Sequence, residues 1–237
     1  MNVKSNIKIG VLTYRAHHRK TYDTVTLLSV LGYKNVTVYA TPFKYKKNFS
    51  PIYAHRPAMY DFSALGIDVN NSSIYENMGY RYLEIDNYNE LDDKDNEVYL
   101  VCGAGILPNE FIKKNRVVNS HPGFIPYVRG LDALKWAIIE EQAIGVTTHF
   151  LGDQVDAGEV IQRIKVPVFK SDLFYQLAER QYQFEICALV NSIKLFDDKL
   201  NVYDAGENEQ HRRMPSDVEA NLLNAFEKYK EKYGIDQ

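Results

Sequence analysis

Apolar and polar positions alternate along the first part of the chain in two distinct rhythms. "IKIGVLTY" (Ile7 to Tyr14) is alternating and β-branched before it breaks into the polar run "RAHHRK", which predicts a strand and a loop. Thr21, Val25, Leu28 and Leu31 then recur on one helical face, with Gly32 just past the last of them, as at the end of an amphipathic helix. "NVTVYA" is the next strand, and strand, helix, strand reads as a βαβ unit of a parallel sheet. Two further apolar strands, "EVYLVCGA" and "RVVN", bracket the short helix "PNEFIKK", with Pro108 at its first turn. "LDALKWAIIEE" predicts another helix.

The rhythm changes in the second half. "GVTTHFLGDQVDAGEVIQRIKVPV" holds two alternating runs joined by a polar, glycine-containing loop, which predicts a hairpin or a near-antiparallel pair. A long helix is expected from Asp172 to Phe196, with Leu173, Leu177, Phe184, Cys187 and Leu195 as its apolar face. The tail from Ser216 to Tyr233 reads as one more amphipathic helix, with Ser216 and Glu219 spaced as a capping box. No repeat, low-complexity linker or change of composition divides the chain. The expectation is one α/β domain over residues 1–200, built on a mostly parallel central sheet with helices on both faces. Residues 201–237 are expected to form a helical extension packed on the same domain.

Composition narrows the function classes. A chain of 237 residues can bury a sizeable core, and 45% hydrophobic with 25% charged residues is ordinary for a globular protein. A formal charge of −3 advertises no basic stripe, which argues against nucleic acid as partner. Cys102 and Cys187 each lie among apolar residues and are expected to be buried thiols in a reduced compartment. No Cys/His spacing suggests a metal site. With no long apolar run in the chain, neither a membrane span nor a signal peptide is expected, and the location is expected to be cytoplasmic.

Chemistry gathers around "RVVNSHPGFIPYVRG". Asn119 and His121 end a core strand, and Pro122 and Gly123 stop it. Asp156 lies in the loop leaving the strand that carries Thr147 and His149. In an open parallel sheet the ligand crevice lies beyond the carboxyl ends of the strands. An amide donor, an imidazole and a carboxylate gathered there are the equipment for acyl transfer through a tetrahedral oxyanion. Spacing alone leaves open whether the three meet, or whether His121 is a satisfied loop histidine. His17 and His18 read as solvated loop residues, and His149 and Trp136 as packing.

"NSHPGFIPYVRG" followed by "GVTTHFLGDQVDAGEVIQR" resembles the signature of the folate-dependent formyltransferase family, most closely over Glu97 to Val168. The resemblance implies a Rossmann-like formyltransferase fold. It implies 10-formyltetrahydrofolate as formyl donor with no metal, and Asn119, His121 and Asp156 as the catalytic trio. It also implies that "CGAGILPNEFI" lines the folate pocket through Gly103, Ala104, Gly105, Ile106 and Leu107, with Asp153 beside it.

Departures from the pattern point to the acceptor. Purine members place a glycine-rich phosphate loop after the first strand; this chain has "TYRAHHRKTYD" there, with no glycine between Gly10 and Gly32. The C-terminal barrel of the tRNA-modifying members and the N-terminal regulatory domain of the hydrolases are not expected here. What remains resembles the short sugar N-formyltransferases, through the Arg129–Gly130 ending and the segment "QHRRMPSDVE". "TPFKYKKNFSPIYAHRP" adds Lys44, Lys46, Lys47, His55 and Arg56 among aromatics, which suits a diphosphate beside a stacked base. Lys44, His55, Arg56 and Arg129 are the expected substrate contacts. The acceptor expected is a dTDP- or UDP-linked amino sugar, dTDP-4-amino-4,6-dideoxyglucose foremost, as used in lipopolysaccharide O-antigen, and the enzyme is expected to be a homodimer. Another small amine as acceptor, and a non-catalytic nucleotide-sugar-binding module, stay open as alternatives.

Overall fold

The structure is a computed structural model and describes residues 6–43, 50–55, 70–91, 95–152, 159–195 and 210–236. Five strands run parallel: β1 (Ile9–Tyr14), β2 (Val36–Thr41), β3 (Arg81–Glu84), β4 (Val98–Val101) and β5 (Val117–His121). The pair β7 (Gly145–Phe150) and β8 (Val160–Lys165) extends the sheet antiparallel, giving the order β3-β2-β1-β4-β5-β7-β8. A separate two-residue ladder joins β6 (Arg129–Gly130) to β9 (Gln210–His211). Chain order reverses direction between β1 and β4, and the crevice of such a sheet opens beyond the carboxyl ends of the strands at that point.

The period of two sorts β1 onto two faces. Ile9 and Val11 pack with Val25 and Leu28 of α1 (Arg19–Val30), with Tyr75 of α2 (Asn71–Glu76), and with Leu189 and Ile193 of α5 (Phe174–Leu195). Leu12 points the other way, to Tyr39, Tyr99 and Phe111 of α3 (Asn109–Lys114). Helices therefore cover both faces, which is why the central strands are apolar on both sides. A third cluster joins α4 (Ala133–Ile139), the start of α5 and α7 (Leu222–Tyr233) through Leu134, Ile138, Leu177 and Phe226.

Three expectations from the sequence are corrected. Leu173 is 66% exposed and Cys187 is exposed, whereas Gln181, Tyr182, Glu185 and Ile186 of α5 are buried. The helix packs against the sheet and α1 together, and its buried face includes Gln181 and Glu185, which a hydrophobic count assigns to solvent. Of the two thiols only Cys102 is buried, and burial pushes its pKa up to about 11. The tail forms two helices, α6 (Ser216–Glu219) and α7, with Pro215 preceding the first; Ser216 provides no cap and Glu219 is buried.

Asp172 fastens the start of α5. Its buried carboxylate accepts hydrogen bonds from Arg180 at 2.6 and 2.7 Å and from the Phe169 amide at 2.8 Å. Its carbonyl accepts from Lys230 of α7 at 2.8 Å. Burial pushes the carboxyl pKa up, but the Arg180 guanidinium and the Phe169 amide outweigh it and hold it below the ordinary value of 3.8. A depressed carboxyl stabilises the fold above its unfolded value and loses that contribution as pH falls through the folded one. Asp172→Ala should cost about 3 kcal/mol at neutral pH in urea denaturation. The gap between variant and wild type should close as pH drops below 3.8.

Candidate active site

The carboxyl end of β5 carries Asn119, Ser120 and His121 to the edge of a cleft of about 500 Å³. His18, Arg19 and Lys20 from the start of α1 and Cys102 after β4 line the same cleft. Pro51, Tyr53, Ala54 and His55 form a further wall, with Gln210 and Arg213 at the rim.

The chain after His121 turns through buried backbone, and buried carbonyls and amides need partners. Thr147 on β7 supplies two: its hydroxyl donates to the Gly123 carbonyl at 2.8 Å and accepts from the Ile125 amide at 3.0 Å. Gln181 on α5 donates to the Pro122 carbonyl at 3.0 Å and to the Gly145 carbonyl at 3.1 Å. Lys20 donates to the Ser120 carbonyl at 3.2 Å and pairs with buried Glu185 at 2.7 Å. The Ser120 hydroxyl donates to the Glu185 carbonyl at 3.1 Å. Gly123 is required by contact: a Cβ there would lie 2.5 Å from His121 Nε2 and 2.6 Å from the Val128 carbonyl. Gly130 has φ of +90°, and a Cβ would meet the His211 carbonyl at 2.2 Å. The Arg-Gly ending is thus the place where the tail ladder closes against the turn.

Two histidines are oriented by carbonyls, which only accept. His121 Nε2 lies 3.2 Å from the Val128 carbonyl, so Nε2 carries the proton. His149 Nδ1 donates to the Phe150 carbonyl at 2.9 Å, so its Nε2 accepts from Asn119 Nδ2 at 3.4 Å. His149 is completely buried and orients the Asn119 amide, a use that the sequence reading as packing missed. His18 is buried, meets Thr21 Oγ1 at 3.0 Å and lines the cleft, which corrects its reading as solvated.

Of the residues expected from sequence, Asn119, His121 and His55 line one cleft. Arg129 is buried in β6 beside it, and the glycine following it forms the lining. Gly103, Ala104, Gly105, Ile106 and Leu107 follow β4 outside that lining, with Leu107 in the core and Ile106 95% exposed. Lys44, Arg56, Asp153 and Asp156 lie outside the described residues. Lys20, Thr147, Gln181 and Glu185 were not singled out from sequence; a lone Glu within the apolar run "FEICALV" was the available signal for one of them.

The family model described as formyl transferase matches residues 69–193, more than half of the chain. The human trifunctional purine biosynthetic protein adenosine-3 is 32% identical over 118 residues, covering 47% of this chain and 11% of that protein. The chain thus spans about a tenth of the length of that curated relative. A sugar N-formyltransferase from a Shewanella species shares the fold at a TM-score of 0.57 and 17% identity, over 92% of this chain and 87% of the other. Glycinamide ribonucleotide transformylase 1 from Symbiobacterium toebii shares it at 0.59 and 18%, over 85% and 95%.

The turn's dependence on Thr147 is testable by an isosteric change. Thr147→Val keeps the volume and leaves the Gly123 carbonyl and Ile125 amide without their partner. It should destabilise the protein by about 1–3 kcal/mol in urea denaturation.

Proposed function

Because the chain belongs to the formyl transferase family, we propose that it moves the formyl group of 10-formyltetrahydrofolate to the amino group of a nucleotide-linked amino sugar. The observation that carries the formyl-transfer reading is the meeting of Asn119 and His121 at one cleft, each side chain already aimed by a buried partner. The neutral amine attacks the formyl carbon, and the carbonyl oxygen gains charge in the tetrahedral intermediate. Asn119 donates an N–H to that oxygen while His149 holds its amide plane. With Nε2–H on the Val128 carbonyl, the His121 imidazole takes part in moving the amine proton and, as imidazolium, stabilises the oxyanion. Asp156 balances the imidazolium, and the proton leaves on N10 of tetrahydrofolate. A water-poor cleft makes such donors effective because they need no reorganisation as charge develops. A volume of about 500 Å³ is within the range of small-molecule sites.

The acceptor reading is supported by the turn between β1 and α1. It holds no glycine, and its side chains are engaged: Arg15 pairs with Asp86 at 2.8 Å and with Glu84 at 3.3 Å. Tyr14 and His18 crowd Gly103, where a Cβ would lie 2.8 to 3.0 Å from them. Such a turn presents side chains where a phosphate cradle presents backbone amides. His55, an expected substrate contact, lines the same cleft; Arg19, Lys20 and Arg213 line it too, each paired with a carboxylate. The dTDP-linked 4-amino-4,6-dideoxy sugar of O-antigen synthesis is the first acceptor to test. Glycinamide ribonucleotide, for which the Symbiobacterium toebii transformylase is named, is the second.

With purified protein, dTDP-4-amino-4,6-dideoxyglucose should yield tetrahydrofolate and a formamido sugar, with activity unchanged after exhaustive chelation. Glycinamide ribonucleotide and methionyl-tRNA should give negligible turnover; robust transfer to either would replace the sugar reading. Asn119→Ala and His121→Asn should each lower kcat about 10²–10³-fold with KM far less affected. Near-normal kcat in His121→Asn would remove the imidazole from the chemistry.

A further inference from the structure

The most deeply buried ion pair described lies in a wall of the cleft. Lys135 of α4 is 1% exposed and Glu219 of α6 is 0% exposed, and their ammonium and carboxylate are in direct contact. The same carboxylate accepts two backbone hydrogen bonds: Oε2 from the Ile52 amide at 3.0 Å and Oε1 from the Tyr53 amide at 3.2 Å. Residues 50–55 belong to no helix or strand, yet Pro51, Tyr53, Ala54 and His55 line the cleft. The rings of Tyr53 and His55 rest against Phe174 at centroid distances of 6.3 and 5.8 Å.

We propose that Glu219 is a positioning residue for the acceptor: a carboxylate from the C-terminal extension that holds the 51–55 wall in place against the nucleotide-sugar. This rests on the function proposed above. Three properties of the pair point to placement of the wall as its role.

A buried ion pair is weak evidence for stability, because desolvating both charges offsets their attraction, and apolar replacements of similar size are often neutral or stabilising. What apolar residues cannot do is accept the two N–H groups, which only an oxygen-bearing side chain at this point satisfies. The pair also sets the charge of the wall. Lys135 itself borders the cleft, and Glu219 neutralises it, as carboxylates do for Arg19, Lys20 and Arg213. Finally, Lys135 sits on α4, so one carboxylate ties the 51–55 wall to α4 and to the tail. Burial pushes the Glu219 pKa up, and the Lys135 and backbone hydrogen bonds outweigh it, keeping the group ionised at neutral pH.

Removing Glu219 alone would also leave a buried ammonium unpaired, so the test uses two double variants. Lys135→Met with Glu219→Gln removes both charges and keeps one amide oxygen, an acceptor for one of the two backbone amides; Lys135→Met with Glu219→Leu removes both acceptors. Hydrogen exchange without ligand should show the Ile52 and Tyr53 amides exchanging at least tenfold faster in the Leu variant, with only one of the two accelerated in the Gln variant. In formyl transfer with dTDP-4-amino-4,6-dideoxyglucose, the Leu variant should raise the acceptor KM about tenfold or more. Its KM for 10-formyltetrahydrofolate and its kcat should change less than twofold, and the Gln variant should raise the acceptor KM less than the Leu variant does. Unchanged exchange at Ile52 and Tyr53, or an equal rise in both KM values, would overturn the proposal. If wild-type protein neither turns over this sugar nor binds dTDP, the acceptor reading is what fails. The exchange arm still decides whether Glu219 holds the wall.

Discussion

The turn that ends β5 must satisfy buried backbone while presenting two side chains to a cleft, and the rest of the structure is arranged around that requirement. Pro122 and Gly123 break the ladder just where the Ser120, Pro122 and Gly123 carbonyls and the Ile125 amide lose strand partners. Lys20, Gln181 and Thr147 replace those partners from α1, α5 and β7. Each comes from a different element, so the turn keeps its shape only when the sheet and both helices are assembled. Buried polar groups are costly when unpaired, and three separated elements meeting at one turn make its conformation a product of the whole fold.

This arrangement explains why polar residues are buried in the core beside the cleft. Gln181 and Glu185 sit on the buried face of α5, and His149 and Thr147 are fully buried in β7. Their polar atoms meet carbonyls, amides and an ammonium drawn from the neighbouring strands and helices. The core beside the cleft is therefore partly a hydrogen-bonded frame, while the far sides of the sheet are apolar clusters of ordinary kind. Rigidity at the site then comes from satisfied polar contacts, and oriented donors of this type are what stabilise developing charge without reorganisation.

The C-terminal segment extends the same logic. β9 pairs with β6 next to the turn that follows β5, and Asp132, at φ of 54°, accepts from the Met214 amide at 3.0 Å and from Arg213 at 3.1 Å. Trp136 donates to the Arg212 carbonyl at 2.9 Å. The tail is stitched to the turn and to α4 residue by residue, so it forms part of the cleft rim.

Several features were legible in the sequence because they depend on local periodicity and local chemistry. The alternating runs gave β1, β2, β7 and β8, including the antiparallel pair. Asn119, His121, Pro122 and Gly123 declared a strand that ends in a polar turn, since those residue types act through their own backbone and side chains. The rotation of α5 was illegible, because its buried face was chosen by partners far along the chain for Gln181 and Glu185. Glu219 makes the contrast plainest. In sequence it stands three residues after Ser216 as a local capping residue, yet in space its carboxylate holds Lys135 and the amides of Ile52 and Tyr53. A carboxylate takes whichever donors the fold brings within reach, and donors separated by more than 80 residues in sequence meet only when tertiary packing brings them together.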